Sequence, residues 1–244
     1  MNILTSFAVD HYEIIKAEGY TDGSIILRFF GKSELVNLFW HVGPVCGMDF
    51  GTNDDVPFLA SVGYDGFFVI WEFLENSWGP VFKKQYQIPL TSVSVSQVSK
   101  EVAIGLSDGT VELISIEKNW PLIKLMKPSV GPIQVSFSPQ SSEIGIGNNE
   151  GMIFRIEGSN KKTHQISSSR IMCLKSGAYG IAAICSDYIV RVLIEEKTEE
   201  IPISGQKRPV TCWWSLAKGS LCIIFDDSSV SEWQKLPNEQ WKMI

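Results

Sequence analysis

An acidic residue at a turn, followed two residues later by a β-rich run, recurs at Asp22, Asp65, Asp108, Glu150, Asp187 and Asp227. The intervals are 43, 43, 42, 37 and 40 residues. After the acids come Ser24–Phe30, Phe67–Trp71, Thr110–Ile116, Met152–Ile156, Ile189–Ile194 and Val230–Trp233. Before them come Ile14–Gly19, Phe58–Gly63, Glu101–Gly105, Glu143–Gly147, Gly180–Cys185 and Ser220–Phe225. Short strands joined by tight turns at a period near 40 residues are the pattern of an antiparallel β-propeller, one blade per repeat. Six repeats predict six blades.

The clearest repeat runs from His41 to Glu72. It holds the runs Val45–Phe50, Pro57–Gly63 and Phe67–Trp71, the last two joined through Tyr64-Asp65-Gly66. His41, Ser61, Asp65 and Trp71 stand where a WD-type blade places a structural hydrogen-bond relay. Such a relay satisfies buried polar groups that would otherwise cost about 1–3 kcal/mol each. Elsewhere the signature is worn: only Trp71 and Trp233 keep the terminal tryptophan and only His41 the histidine. Period and pattern carry the reading there.

Composition narrows the class. Hydrophobic residues make up 44% of the 244, too many for a disordered chain. No apolar run reaches the ~18–20 residues of a membrane span. The start, Met1 to Val9 followed by Asp10, lacks a basic flank and a long apolar core, so it reads as a first strand rather than a signal peptide. The net charge of −6 gives no nucleic-acid footprint, and the pairs Lys83-Lys84 and Lys161-Lys162 are isolated, as at solvated strand ends. Cys46, Cys173, Cys185, Cys212 and Cys222 all fall in strand-like runs with no zinc spacing; they read as buried reduced thiols of a cytosolic protein. No metal and no cofactor is expected.

Taken in order, a single propeller domain spans 1–244, with blades at about 1–39, 40–88, 89–126, 127–168, 169–205 and 206–244. In the second block an outer strand is placed near Val81–Ile88, after a loop Asn76-Ser77-Trp78-Gly79-Pro80 with turn chemistry at Asn, Gly and Pro. The first block opens on an inner strand, Leu4–Val9, and the sixth closes on Gln240–Ile244. Each blade then forms from its own residues, with no strand exchanged between first and last. That phase predicts an open ring whose unpaired edges invite a partner strand; closure by side-chain packing alone is the alternative.

The residues His41-Val42-Gly43-Pro44-Val45, Leu59 to Asp65 and Val69-Ile70-Trp71-Glu72 resemble the second repeat of the Sec-thirteen family. So do Asn76-Ser77-Trp78 and the ending Ser231 to Lys235 with Gln240 to Ile244. The resemblance covers residues 11–88 and 210–244; between them it rests on repeat phase. It implies an open six-bladed propeller that receives an extra blade from a large Sec-thirty-one-type subunit in the COPII outer coat, or from a nucleoporin with a helical domain in the Y-shaped nuclear pore scaffold. The location implied is the cytoplasmic face of the ER membrane and its vesicles, with the nuclear envelope as a second pool.

Enzyme signals are weaker. Gly105-Leu106-Ser107-Asp108-Gly109 matches G-x-S-x-G, but a nucleophile elbow needs a helix after it, and Thr110–Ile116 alternates like a strand. Gly145 to Gly151 lacks the spacing of a dinucleotide loop. Trp213-Trp214 cannot form one stacking platform, because neighbours in a strand point to opposite faces.

The expectation is therefore a non-catalytic scaffold with no catalytic residue. The partner-binding seam between the first and sixth blades is assigned to Leu4, Phe7 and Val9, and to Trp233, Trp241, Met243 and Ile244. The alternatives are a nuclear pore subunit like the Sec-thirteen homologue and a closed adaptor reading a peptide on its top face.

Overall fold

The computed structural model describes residues 2–53, 56–117, 120–177, 179–203, 205, 207–236 and 240–244. Gln206, where the sixth block opens, lies outside them. The described residues form six four-stranded antiparallel sheets and no helix. The first is β1 (Leu4–Val9), β2 (Ile15–Tyr20), β3 (Ser24–Phe29) and β4 (Leu35–Phe39). The second is β5 (Val45–Asn53), β6 (Val56–Gly63), β7 (Phe67–Leu74) and β8 (Ser77–Gln85). The third is β9 (Leu90–Ser96), β10 (Glu101–Leu106), β11 (Val111–Ser115) and β12 (Leu122–Met126). The fourth is β13 (Gln134–Phe137), β14 (Ile144–Gly147), β15 (Met152–Glu157) and β16 (Asn160–Gln165). The fifth is β17 (Ile171–Ser176), β18 (Ile181–Cys185), β19 (Val190–Ile194) and β20 (Lys197–Glu200). The sixth is β21 (Pro209–Ser215), β22 (Ser220–Phe225), β23 (Val230–Lys235) and β24 (Trp241–Met243). By fold class the chain is an all-β, six-bladed β-propeller.

Each sheet pairs its strands in sequence order, so among the described residues none is shared between the two ends of the chain. Among the described residues there is no closure by strand exchange.

The chain falls into two compact units, Met1–Val135 and Ser136–Ile244. In the first, the second sheet is covered on both faces. Ala17, Ile25 and Leu27 meet Val45, Leu59 and Trp71 on one side, and Phe58, Phe68 and Ile70 meet Val93, Ile104 and Ile114 on the other. In the second, the fifth sheet is covered likewise, by Ile153 and Ile171 with Leu174 and Leu193, and by Val190 and Val192 with Trp214 and Ile223. A strand buried on both faces cannot alternate, and β10, β18 and β22 accordingly read Glu-Val-Ala-Ile-Gly-Leu, Ile-Ala-Ala-Ile-Cys and Ser-Leu-Cys-Ile-Ile-Phe.

The recurring acids build one turn. Asp22, Asp65, Asp108, Asp187 and Asp227 each accept, through Oδ1, the backbone N–H two residues on, at 2.9–3.1 Å. The residue between has positive φ: Gly23, Gly66, Gly109, Tyr188 and Ser228. This is an Asx turn closing a hairpin. In the fourth sheet the aligned acid, Glu150, does not do this. Asn148 Oδ1 accepts from the N–H of Glu150 (3.0 Å) and of Met152 (2.9 Å) instead, since its shorter amide arm reaches both donors from within the turn.

A second correction concerns the β7–β8 hairpin. Its turn is only Glu75-Asn76, both with positive φ (47° and 72°), the geometry of a two-residue type I′ connection. Ser77, Trp78, Gly79 and Pro80 belong to β8, which ends at Gln85, short of the expected Ile88. Trp78 packs into the core between the first two sheets, and Pro80 pairs with Trp71 beside a bulge, where an edge strand tolerates proline.

Candidate functional site

The polar centre of the second sheet is a chain of hydrogen bonds. Trp71 Nε1–H donates to Ser61 Oγ at 2.8 Å, and Ser61 Oγ lies 2.9 Å from His41 Nε2. His41 Nδ1 faces both Asp65 oxygens at 3.1 and 3.2 Å. A carboxylate only accepts, so Nδ1 carries the proton; Nε2 is then the acceptor, and the Ser61 hydroxyl donates to it. Every member then has a partner. Burial alone would push the Asp65 carboxyl up. Hydrogen bonds from His41 and from the N–H groups of Val42 and Phe67 more than offset that and hold it below the usual carboxylate range. The His41 side chain is inaccessible to solvent, so the chain is structural: it ties the connection leading into the sheet to β6, to the turn and to β7.

The first strands of the first, second, third, fifth and sixth sheets carry a bulge at their second residue, at Thr5, Cys46, Thr91, Met172 and Val210. A bulge shifts side-chain parity by one. Leu4, paired with Tyr20, and Phe7, paired with Glu18, therefore share a face although three residues separate them. Val9, paired with Lys16, joins them. This is the face of the first sheet turned away from the second, since Ala8, Ala17 and Ile25 pack the other way. Register adds Ile26, Leu35, Asn37 and Phe39 to it. Its middle is polar: Arg28 Nε donates to Glu18 Oε1 at 2.9 Å and Tyr20 O–H to Glu18 Oε2 at 2.8 Å. Burial and then its hydrogen bond to Glu18 push the Tyr20 hydroxyl up. Phe7 is buried, Leu4 and Val9 half-buried, and Leu35 and Phe39 exposed.

The assigned C-terminal residues divide. Trp233 pairs with Met243 and Lys235 with Trp241, so all four share a face. That face packs on the fifth sheet: Trp233 is buried among Leu221, Ile223 and Val192, and Trp241 lies beside it. Trp241 Nε1–H donates to Glu199 Oε2 at 2.8 Å, while Lys235 Nζ lies 2.7 Å from Glu199 Oε1. Met243 lies at the exposed margin of this face, and only Ile244 lies on the opposite one, its N–H donating to Glu232 O. By register that opposite face carries Trp213, Cys222, Ile224 and Glu232.

No family model matches this chain, and no curated protein matches it.

The architecture is compatible with a WD-repeat protein, and a propeller of this kind fits a scaffold or protein-interaction role. Ser107 of the G-x-S-x-G run sits at the β10–β11 turn, its N–H donating to Pro89 O, with strand β11 and no helix after it. Trp214 points inward, its Nε1–H donating to Lys175 O at 3.0 Å, with Trp213 on the reverse face. Burial, with the Asp65 charge, pushes the Cys46 thiol up to about 11. The enclosed Cys212 thiol is raised too, first by its hydrogen bond with Cys173 and then by burial. Among the described residues no group of three His, Cys, Asp or Glu side chains is arranged to hold a metal.

Sequence reading missed Leu35 and Phe39 on the first sheet and Trp213 and Ile224 on the sixth. A signal existed for the first pair: β4, Leu-Val-Asn-Leu-Phe, is apolar at four of five positions, more than a strand covered on one face needs. For the second pair the strand alone puts Trp213 and Trp214 on opposite faces, but which of them shares a face with Ile224 depends on pairing with β22.

Proposed function

We propose that this chain is a non-catalytic scaffold subunit of the kind found in the COPII outer coat, completed by a blade that a large Sec-thirty-one-type helical partner donates. The observation that carries the reading is the outward face of the first sheet. It presents exposed Leu35 and Phe39 on the outermost strand and the Glu18–Arg28–Tyr20 group behind them. β4 also leaves its outer edge without a strand partner among the described residues. A donated strand would gain main-chain hydrogen bonds along that edge and bury the two apolar side chains. Two further observations support it: each sheet is complete in its own four strands, and the His41–Ser61–Asp65–Trp71 chain lies within the stretch that resembles the Sec-thirteen family. The work of such a subunit is peripheral to the ER membrane, at the forming vesicle. The same docking would serve a helical nucleoporin, and the identity of the partner assigns the assembly.

The test is co-expression with a Sec-thirty-one-type helical subunit followed by size-exclusion chromatography, for the wild-type chain and for Leu35→Asp/Phe39→Asp. Co-elution of the wild type and its loss in the double variant, with unchanged circular dichroism, is the expected result. Failure of the wild type to co-elute, in favour of a nucleoporin bound through the same two residues, would move the subunit to the pore. Binding to neither overturns the scaffold reading in favour of a peptide-reading adaptor.

A further inference from the structure

The outermost strand of the third sheet differs from its counterparts. In β12, Leu122, Ile123 and Leu125 are 51%, 52% and 61% exposed. Leu122 pairs with Ile114 and Leu125 with Glu112, so the two leucines share one face across the bulge at Ile123, while Lys124, paired with Leu113, lies on the other. The outer strands β16 and β20 read Asn-Lys-Lys-Thr-His-Gln and Lys-Thr-Glu-Glu, the charged edges that discourage further pairing. β8 carries Pro80, Lys83 and Lys84. β4 turns Val36 and Leu38 toward the second sheet, leaving apolar exposure on one face only. β12 exposes its leucines on one face and Lys124 on the other, and is unpaired on its outer side among the described residues.

The strand is also held in place. Trp120, just before it, adopts φ 54°, a conformation a bulky side chain avoids. Its ring lies 5.5 Å from that of Phe58 and 5.8 Å from that of Phe82, an aromatic plug that offsets the strain. Pro121 and Pro128 bracket the strand and limit any added pairing to about six residues.

Charge selects the occupant. Lys124 is exposed at the centre of the strand and has no ion-pair partner among the described residues. The antiparallel register that pairs Leu122–Met126 with itself sets Lys124 against Lys124, and like charges directly opposite are destabilising. A second copy is therefore disfavoured.

We infer that β12 is a second docking edge, which accepts an extended, apolar and acidic segment of another protein by antiparallel strand addition, with a carboxylate of that segment against Lys124. It is independent of the first-sheet face.

The probe is a fluorescein-labelled seven-residue peptide of alternating valine and glutamate, with a lysine-for-glutamate control, titrated by fluorescence polarisation into the full chain. Saturable binding of the acidic peptide, weakened about tenfold or more by Lys124→Glu and by Leu125→Lys but unchanged by Lys161→Glu on β16, is expected. The lysine peptide should bind only to the Lys124→Glu variant. Equal binding of both peptides, or none up to about 1 mM, overturns the inference. So does concentration-dependent dimerisation that Leu125→Lys abolishes, which would make a second copy the occupant.

Discussion

The indole N–H of Trp71 and the hydroxyl of Ser61 are 2.8 Å apart in a position closed to water. In the sixth sheet the residue at the Ser61 position is Ile223, and Trp233 Nε1–H donates instead to Ser231 Oγ on its own strand, also at 2.8 Å. The indole keeps a partner where the serine and histidine of the relay are gone.

Ser61→Ala strands two buried groups, the Trp71 N–H and His41 Nε2. We expect a loss of about 3 kcal/mol, read as a lowered urea midpoint. Ser231→Ala strands one half-buried donor and should cost about 1 kcal/mol by the same measurement. Equal effects would mean the relay acts as separate bonds.

Asp65 is held below its ordinary value of 3.8 in the fold, so the unfolded chain binds this proton more tightly. Its stabilising contribution is complete above that value and is lost as pH falls through the lower folded one. Wild type should therefore lose more stability than Asp65→Asn on acidification below about pH 4, although the variant is the less stable at neutral pH. Urea midpoints across that range measure both.

The turn residues of positive φ predict opposite outcomes. A Cβ at Gly23 would overlap the carbonyl oxygen of His41, and Gly23→Ala should cost about 2 kcal/mol or more. Ser228 holds φ 63° with an exposed side chain. Ser228→Gly should raise stability by about 0.5–1 kcal/mol. Thermal midpoints of the two variants check the signs.

Trp241 belongs to the packing of the fifth and sixth sheets. Trp241→Ala removes its half-buried ring and its hydrogen bond to Glu199, and should destabilise by about 2 kcal/mol. Its co-elution with a helical partner should be unchanged. Loss of partner binding with unchanged stability would instead return Trp241 to the docking surface.

Most strands and turns of this protein were legible from the chain alone, because they rest on local chemistry. An aspartate caps the N–H two residues on, a glycine permits the positive φ between them, and a run such as β22 is too apolar for a one-sided strand. The residues His41, Ser61, Asp65 and Trp71 could be named for the same reason: a blade can satisfy them only in one way. Which face a side chain joins was decided by tertiary structure. The bulges at Thr5 and Val210 shift parity by one residue, and only pairing with β2 and β22 reveals them. That shift puts Leu4 and Phe7 on one face. Register with β23 sends Trp241 and Met243 to the side of Trp233, and leaves Ile244 on the side of Trp213. In the fourth turn, Asn148 displaced the aligned Glu150 because distance to two backbone donors, not charge, selects the cap.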